Sequence, residues 1–511
     1  MSRSRTENSI RNLKSAVFYK LLAILVNFIA RRIFIDILSA EYLGLNGTFA
    51  NILSVLSLAE LGIGSAMVFS MYKPLAENDE STLASLMVLY RRMYAVIGVV
   101  VAAAGALIMP FLPALIKGIP DIPNINIIYL MFVFNSVFSY FFVYKQSIIN
   151  ADQKQHIITK YSYITSMLCT VVQCIVLILT RDYLLYLSIS IITTIVNNIL
   201  LSRKAEKLYP YIKCRTAAPL PAEKKEELSK NIRAMIMHKL GSVVVFGTDN
   251  ILIAYFVGAV SVGLYSNYYM ITSALNSAYS MLFRSMTASV GNLNAEADKH
   301  HLREMYFRID GFTQWLFGFS SICLLILLNP FITLWVGREY LFGMTTVLII
   351  VVNFYITGIR QANLMFREAM GLYWYDRYKP LAESLINLAA SILLAGQLGI
   401  LGVFIGTFIS TVTTCFWIEP FVLFKYGFGS PVWIYFKRFA VNTGITLLAG
   451  AAAWKVCGLI PDGSVLTFAA KMAVCALLPN AVYFIFYRKT DEFKYFFALA
   501  GRLVRPAGRK P

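Results

Sequence analysis

MYAVIGVVVAAAGALIMPFLPALI, residues Met93–Ile116, carries no charged side chain. About 20 such residues are what an α-helix needs to cross the hydrocarbon of a bilayer. Arg91 and Arg92 close the stretch on one side and Lys117 on the other. Similar stretches recur from Val17 to Tyr487, near 17–38, 44–71, 93–116, 126–148, 161–180, 183–202, 234–257, 262–290, 309–328, 344–366, 378–396, 399–424, 434–454 and 465–487. They predict about fourteen spanning helices. They are too long and too apolar for the strands of a membrane barrel, which run to about ten alternating residues. Composition agrees: of 511 residues, 58% are hydrophobic and 14% charged, roughly half the charged share of a soluble chain. The expectation is an all-α polytopic membrane protein.

A net charge of +19 could suit nucleic acid, but the basic residues follow membrane topology instead. With the N-terminus inside, the inner segments hold Arg3, Arg5, Arg11, Lys14 and Lys20, then Lys73, Arg91 and Arg92, then Lys145, Lys154 and Lys160. The densest run lies between Arg203 and Arg233, and Arg303, Arg308, Arg377, Lys379, Lys437, Arg438, Arg488 and Lys489 follow. The outer loops hold only Lys117, Arg181, Arg338 and Lys455. Both termini are expected in the cytoplasm, with no nucleic-acid partner. The seven cysteines show no metal spacing and demand no disulfide. The first apolar segment contains Asn27, Arg31 and Arg32 and lacks a small-residue cleavage site, so it reads as a retained helix. No phosphate-cradling loop and no nucleophile beside a base can be found, which points away from an enzyme and from a bound cofactor.

The one long polar linker, 203–233, contains Pro210, Pro219 and Pro221 and follows six spans. A repeat is visible across it. At an offset of 219, Gly44-Leu45 matches Gly263-Leu264, Ile52 matches Ile271, and the string Ala76, Glu77, Asp79, Leu83 matches Ala295, Glu296, Asp298, Leu302. Because six spans precede the linker, both copies share one orientation, which predicts two six-helix lobes related by an axis along the membrane normal. The expected organisation is an N-terminal lobe (1–202), a cytoplasmic basic linker (203–233), a C-terminal lobe (234–424), and two further helices with a basic tail (425–511). The tail from Arg488 to Lys510 reads as an interfacial amphipathic helix that touches anionic lipid.

EYLGLNG (Glu41–Gly47), LAELGIG (Leu58–Gly64) and YKPLAENDE (Tyr72–Glu80) resemble bacterial polysaccharide-transport proteins of the Wzx flippase type. That family belongs to the superfamily of multidrug-and-toxin extruders and the lipid II flippase. The motifs cover roughly residues 24–95. The resemblance implies two six-helix lobes around a central cavity in the cytoplasmic membrane of a bacterium. It also implies transport of undecaprenyl-pyrophosphate-linked oligosaccharide to the outer leaflet by alternating access. Expected partners are that substrate, membrane lipids, and a polysaccharide polymerase and glycosyltransferases. The alternative is a cation-coupled exporter of drugs or other small molecules.

A charge inside the bilayer is costly unless paired or wet, so each one is informative. Arg32 and Asp36 are four apart and read as an internal ion pair. Arg31 lies on another face with Asn27, where it either meets an anionic head group or pairs within the protein. The eighth helix carries a polar stripe of Tyr269, Thr272, Ser273, Asn276, Ser280 and Arg284, and the tenth repeats it with Asn353, Thr357, Arg360, Asn363 and Arg367. Arg31, Asn27, Arg284, Asn276, Tyr269 and Arg360 are the candidate substrate contacts, since guanidinium and amide donors suit pyrophosphate and sugar. Glu60, and Asp249 on the face of His238 and Ser242, are candidate ion-coupling carboxylates for a proton or sodium gradient. Glu383 and Lys471 also fall within spans, without an evident partner.

Overall fold

The computed structural model describes residues 22–60, 63–118, 122–213, 226, 228–229, 248–296 and 298–504, and among these the regular elements are helices, with no strand. The chain forms two compact units, Met1–Gly263 and Leu264–Pro511.

The first unit contains α1 (22–37), α2 (Ala40–Leu56), a single 3-10 turn (Ser57–Glu60), α3 (Ile63–Ala76), α4 (Glu80–Ile108) and the short α5 (Leu112–Leu115). It continues with α6 (Ile125–Ala151), α7 (Gln155–Thr180), α8 (Tyr183–Leu208) and α9 (Asp249–Phe256). Helix α10 (Ala259–Glu296) begins in this unit and contains the boundary. The second unit holds α11 (Lys299–Trp335), α12 (Met344–Ile359), α13 (Gln361–Ala369), α14 (Lys379–Leu398), α15 (Ile400–Thr413) and α16 (Cys415–Val422). The π turn Leu423–Phe428 extends α16, and α17 (Trp433–Gly458), α18 (Val465–Tyr487) and α19 (Asp491–Val504) close the chain.

Ten helical segments among the described residues are long and apolar enough to cross a membrane, and the protein is an all-α polytopic membrane protein. The other expected spans depart for identifiable reasons. The stretch 17–38 is described only from residue 22, and 234–257 only from residue 248. The stretch 44–71 is broken at the 3-10 turn between α2 and α3. Helix α10 has the length, but its stripe of hydroxyls and amides keeps it outside the ten. The expected linker begins as the last turn of α8 and the turn Pro210–Lys213; 214–225, 227 and 230–247 lie outside the described residues.

Helices α4 and α11 start about three turns before their apolar stretches, because hydrophobicity marks the hydrocarbon and not the helix end. Both starts are capped by a repeated residue. Asp79 accepts from the Thr82 amide at 2.9 Å and Asp298 from the His301 amide at 2.8 Å. Each cap satisfies an amide that the first turn would leave unpaired, worth about 1 kcal/mol. The matched residues of the repeat therefore perform one local task twice. Its glycines meet directly. A Cβ on Gly44 would lie 1.8 Å from the Ala259 carbonyl oxygen, and one on Gly263 2.3 Å from that of Ala40. Only glycine allows α2 and the start of α10 to approach so closely.

Within the first unit, Met67, Met71, Tyr90, Tyr94, Ile148 and Leu201 form a buried core between α3, α4, α6 and α8. In the second unit, Tyr306 stands edge-on to Phe366 and Phe424 at 5.3 and 5.5 Å, contacts worth roughly 0.5–1.5 kcal/mol each beyond burial. Of the expected tail helix, Arg488 to Lys510, Asp491–Val504 forms α19, and 505–510 lie outside the described residues. Phe496 stacks on Phe312 at 4.7 Å and Glu492 accepts from Arg438 at 2.6 Å.

Candidate functional site

In the first unit the break in the second span places a carboxylate among hydroxyls. The backbone leaves α2 at Leu56 and makes one 3-10 turn, which ends on Glu60. Glu60 Oε1 accepts from the Tyr94 hydroxyl. Tyr90 packs edge-on to Tyr94 at 4.8 Å and accepts from Ser147 Oγ at 3.3 Å, and the Tyr140 ring lies 6.0 Å from that of Tyr94. Gly64 makes room for the group: a Cβ there would sit 3.1 Å from the Tyr94 oxygen and 3.6 Å from Glu60 Oε1. A carboxylate ringed by rotatable hydroxyls can hand a proton on or hold a small cation without a metal cage. An acid inside an apolar run marks Glu60 but not its tyrosines, although Tyr90 and Tyr94 share a face at four-residue spacing.

Helix α1 presents Arg31 half-buried and Asn27 exposed. Arg31 lies within electrostatic range of Tyr186 on α8, whose ring meets Phe34 at 5.3 Å. Arg32 Nε donates to Asp36 at 2.8 Å, with side-chain exposures of 44% and 48%. That is the expected pair, and at such exposure it is worth at most about 1 kcal/mol. Asp249 opens α9, and Asp249 Oδ1 and Asn250 Oδ1 are buried without a hydrogen-bond partner among the described residues. His238 and Ser242, expected on the same face, lie outside the described residues.

In the second unit α10 carries Tyr269 and Arg284 exposed and Asn276 half-buried. The stripe of the tenth span is committed to protein instead. Asn353 donates to the Phe404 carbonyl at 2.9 Å, and Asn363 accepts from the Tyr306 hydroxyl at 2.5 Å. Arg360 sits where α12 passes into α13, and its Nε and Nη2 grip Glu419 at 2.9 and 2.7 Å. Glu419, fully buried, also accepts from Lys379. Lys379 lies 3.3 Å from Asp376, which pairs with Arg367, and Glu383 lies 4.0 Å from Arg360. Three cations and three carboxylates thus close a neutral network. A guanidinium gripped in this way has no free fork for a phosphate. Glu383 thereby gains a partner, and so does Lys471, which donates to Asp462 at 2.6 Å. Glu419 and Asp376 carry no sequence signal beyond an acid in or beside an apolar run; their cations are remote in the chain.

Arg31 and Asn27 are thus brought together on α1, and Tyr269, Asn276 and Arg284 on α10, whereas Arg360 is enclosed by acids. No group of three or more metal-ligating His, Cys, Asp or Glu side chains occurs among the described residues.

The fold is similar to that of solved polytopic membrane transporters. Its solved relatives in fold include the lipid II flippase MurJ in an inward closed conformation, with a TM-score of 0.63 at 14% identity over 94% of this chain and 99% of that one. An inward-facing multidrug resistance MATE family transporter of the MOP superfamily follows, with a TM-score of 0.59 at 14% identity over 78% of this chain and 94% of that one. A Vibrio cholerae MATE transporter matches with a TM-score of 0.55 at 14% identity over 84% of this chain and 99% of that one. No family model matches the chain, and no curated protein matches it in sequence.

Proposed function

We propose that this chain is a flippase that carries undecaprenyl-pyrophosphate-linked oligosaccharide repeat units across the cytoplasmic membrane of a bacterium, for cell-surface polysaccharide, by alternating access. One observation carries the reading: the likeness to a lipid flippase spans 94% of this chain at a TM-score of 0.63, whereas the two MATE transporters span 78% and 84% at 0.59 and 0.55. The motifs of α2 and α3 and the basic character of the chain agree with an anionic, lipid-linked substrate. Arg31 and Asn27 on α1, and Arg284, Asn276 and Tyr269 on α10, are the proposed contacts to pyrophosphate and sugar. Arg360 belongs with them only through its place in the charged network. Glu60 and Asp249 are the proposed coupling groups for a proton or sodium gradient. Both termini lie in the cytoplasm in this reading, and a polysaccharide polymerase and glycosyltransferases act on either side of the step.

The test uses purified protein in liposomes with a radiolabelled lipid-linked oligosaccharide. The readout is the fraction that a membrane-impermeant hydrolase reaches from outside. Flipping raises that fraction above the level of protein-free vesicles. Gradient-driven export of cationic dyes with no change in the labelled lipid would favour the second reading, a cation-coupled exporter, which the likeness to MATE transporters supports.

A further inference from the structure

Helix α11 carries a further buried carboxylate, Asp310, with no ion pair among the described residues. Asp310 is 2% exposed, and Gln314, one turn on, is 1% exposed. Gln314 Nε2 donates to Asp310 Oδ2 at 3.1 Å. The remaining oxygens, Asp310 Oδ1 and Gln314 Oε1, are both buried and have no hydrogen-bond partner among the described residues. An acceptor buried without a donor costs on the order of 1–3 kcal/mol, and more when it is charged. Two such oxygens one helical turn apart, one of them on a carboxylate, leave a place that a proton or another cation would fill.

The surroundings decide which cation. Among the described residues, the charged groups in electrostatic range of Asp310 are Arg438 on α17 and Glu492 on α19. Tyr306 on α11, Tyr355 on α12, Tyr435 on α17 and Tyr487 at the end of α18 complete the titratable shell. Arg438 is already engaged: its Nη1 donates to Glu492 at 2.6 Å, and its guanidinium lies over the Phe307 ring at 4.1 Å. Tyr306 gives its hydroxyl to Asn363. With Glu492 ionised on Arg438, an ionised Asp310 would leave one net negative charge beside a buried aromatic cluster. A proton on Asp310 makes the group neutral and supplies the missing donor. A metal ion would need more oxygens than these two.

We propose that Asp310 is a proton-binding site of the second unit, and that its affinity for the proton is set by whether Glu492 of the tail helix holds Arg438. While α19 is docked, Glu492 occupies Arg438 and Asp310 keeps its proton. When Glu492 lets go, Arg438 becomes the counterion of Asp310 and the proton leaves. The proposal deepens the transport reading by adding a titratable site. It rests on that reading only for the use made of the proton.

The experiment reads occupancy rather than transport, so its failure and the failure of the flippase reading are distinguishable. Full-length protein in lipid nanodiscs is titrated while infrared difference spectra follow the carbonyl stretch of a protonated carboxylic acid. The expected result is a band at neutral pH that Asp310→Asn, an isosteric change, removes. In Glu492→Gln its midpoint should fall by on the order of one pH unit, because a freed guanidinium favours the ionised carboxylate. An unchanged spectrum in Asp310→Asn, or an unmoved midpoint in Glu492→Gln, would overturn the proposal. Should Asp310→Asn fail to insert, the Glu492→Gln midpoint decides alone.

Discussion

Glu419→Gln tests the neutral charge network of the second unit most directly. The change keeps the volume of the side chain and removes its charge from a fully buried position, where it faces both Arg360 and Lys379. Breaking a buried pair by removing one partner costs about 3–5 kcal/mol, because the other charge stays behind in a dry site. Glu383 at 4.0 Å from Arg360 and Asp376 at 3.3 Å from Lys379 soften that loss, which places it near the lower end, about 3 kcal/mol. At about 2–4 °C per kcal/mol for a domain of comparable size, the unfolding midpoint falls by roughly 6–12 °C. Intrinsic-fluorescence melting of purified protein in detergent measures it. Arg360→Met combined with Glu419→Gln restores neutrality, two cations against two acids, and recovers most of the loss. A single variant that melts with the wild type, or a double variant no better than the single, would refute the reasoning.

Glu60→Gln should leave insertion intact and abolish dependence of transport on an imposed proton or sodium gradient; gradient dependence that survives removes Glu60 from coupling. Arg31→Ala and Arg284→Ala should each lower flipping roughly ten- to a hundred-fold, the loss of one charge-assisted phosphate contact of about 1.5–3 kcal/mol. Arg32→Ala, by contrast, breaks a half-exposed pair with Asp36, and loss of that pair should cost at most about 1 kcal/mol of stability; membrane abundance and thermal melting check it. Partial burial alone would raise the Glu492 carboxyl, but its own backbone amide and Arg438 outweigh burial and hold it below the ordinary carboxylate range. A depressed value of this kind stabilises the docked tail above the ordinary carboxylate pKa and is lost as pH falls through the lowered one. Protease cleavage within 491–504 should therefore rise in acid, and a cleavage rate flat across that range would contradict it.

The last spans were the most legible in the sequence. The expected 434–454 and 465–487 are close to α17 and α18, because charged or turn residues bound each apolar run closely. The polar stripe of the eighth span and the Arg32–Asp36 pair were readable as helical spacing. The break after Leu56 was not: Leu58–Gly64 reads as an unbroken apolar run apart from Glu60, and the interruption is settled by what packs against it. The Arg360–Glu419 pair joins residues 59 apart, and no period within one helix reports such a partner. Asp310 escaped notice because it lies among Arg308, Gly311 and Phe312, where an acid looks like the polar edge of a span.

The interruption of the second span also bears on how the chain enters the membrane during synthesis. Helices α2 and α3 have 17 and 14 residues, lengths of about 26 and 21 Å, and each falls short of a hydrocarbon layer about 30 Å thick. Neither half can settle among acyl chains alone, and the non-helical turn between them is tolerated only against protein or water. The helices packed on them, α4 and α6 on both and α9 on α2, leave the ribosome later. On that reasoning the second span is enclosed in stages, first by α4, then by α6, encoded some fifty residues downstream (from Ala76 to Ile125), and last by α9.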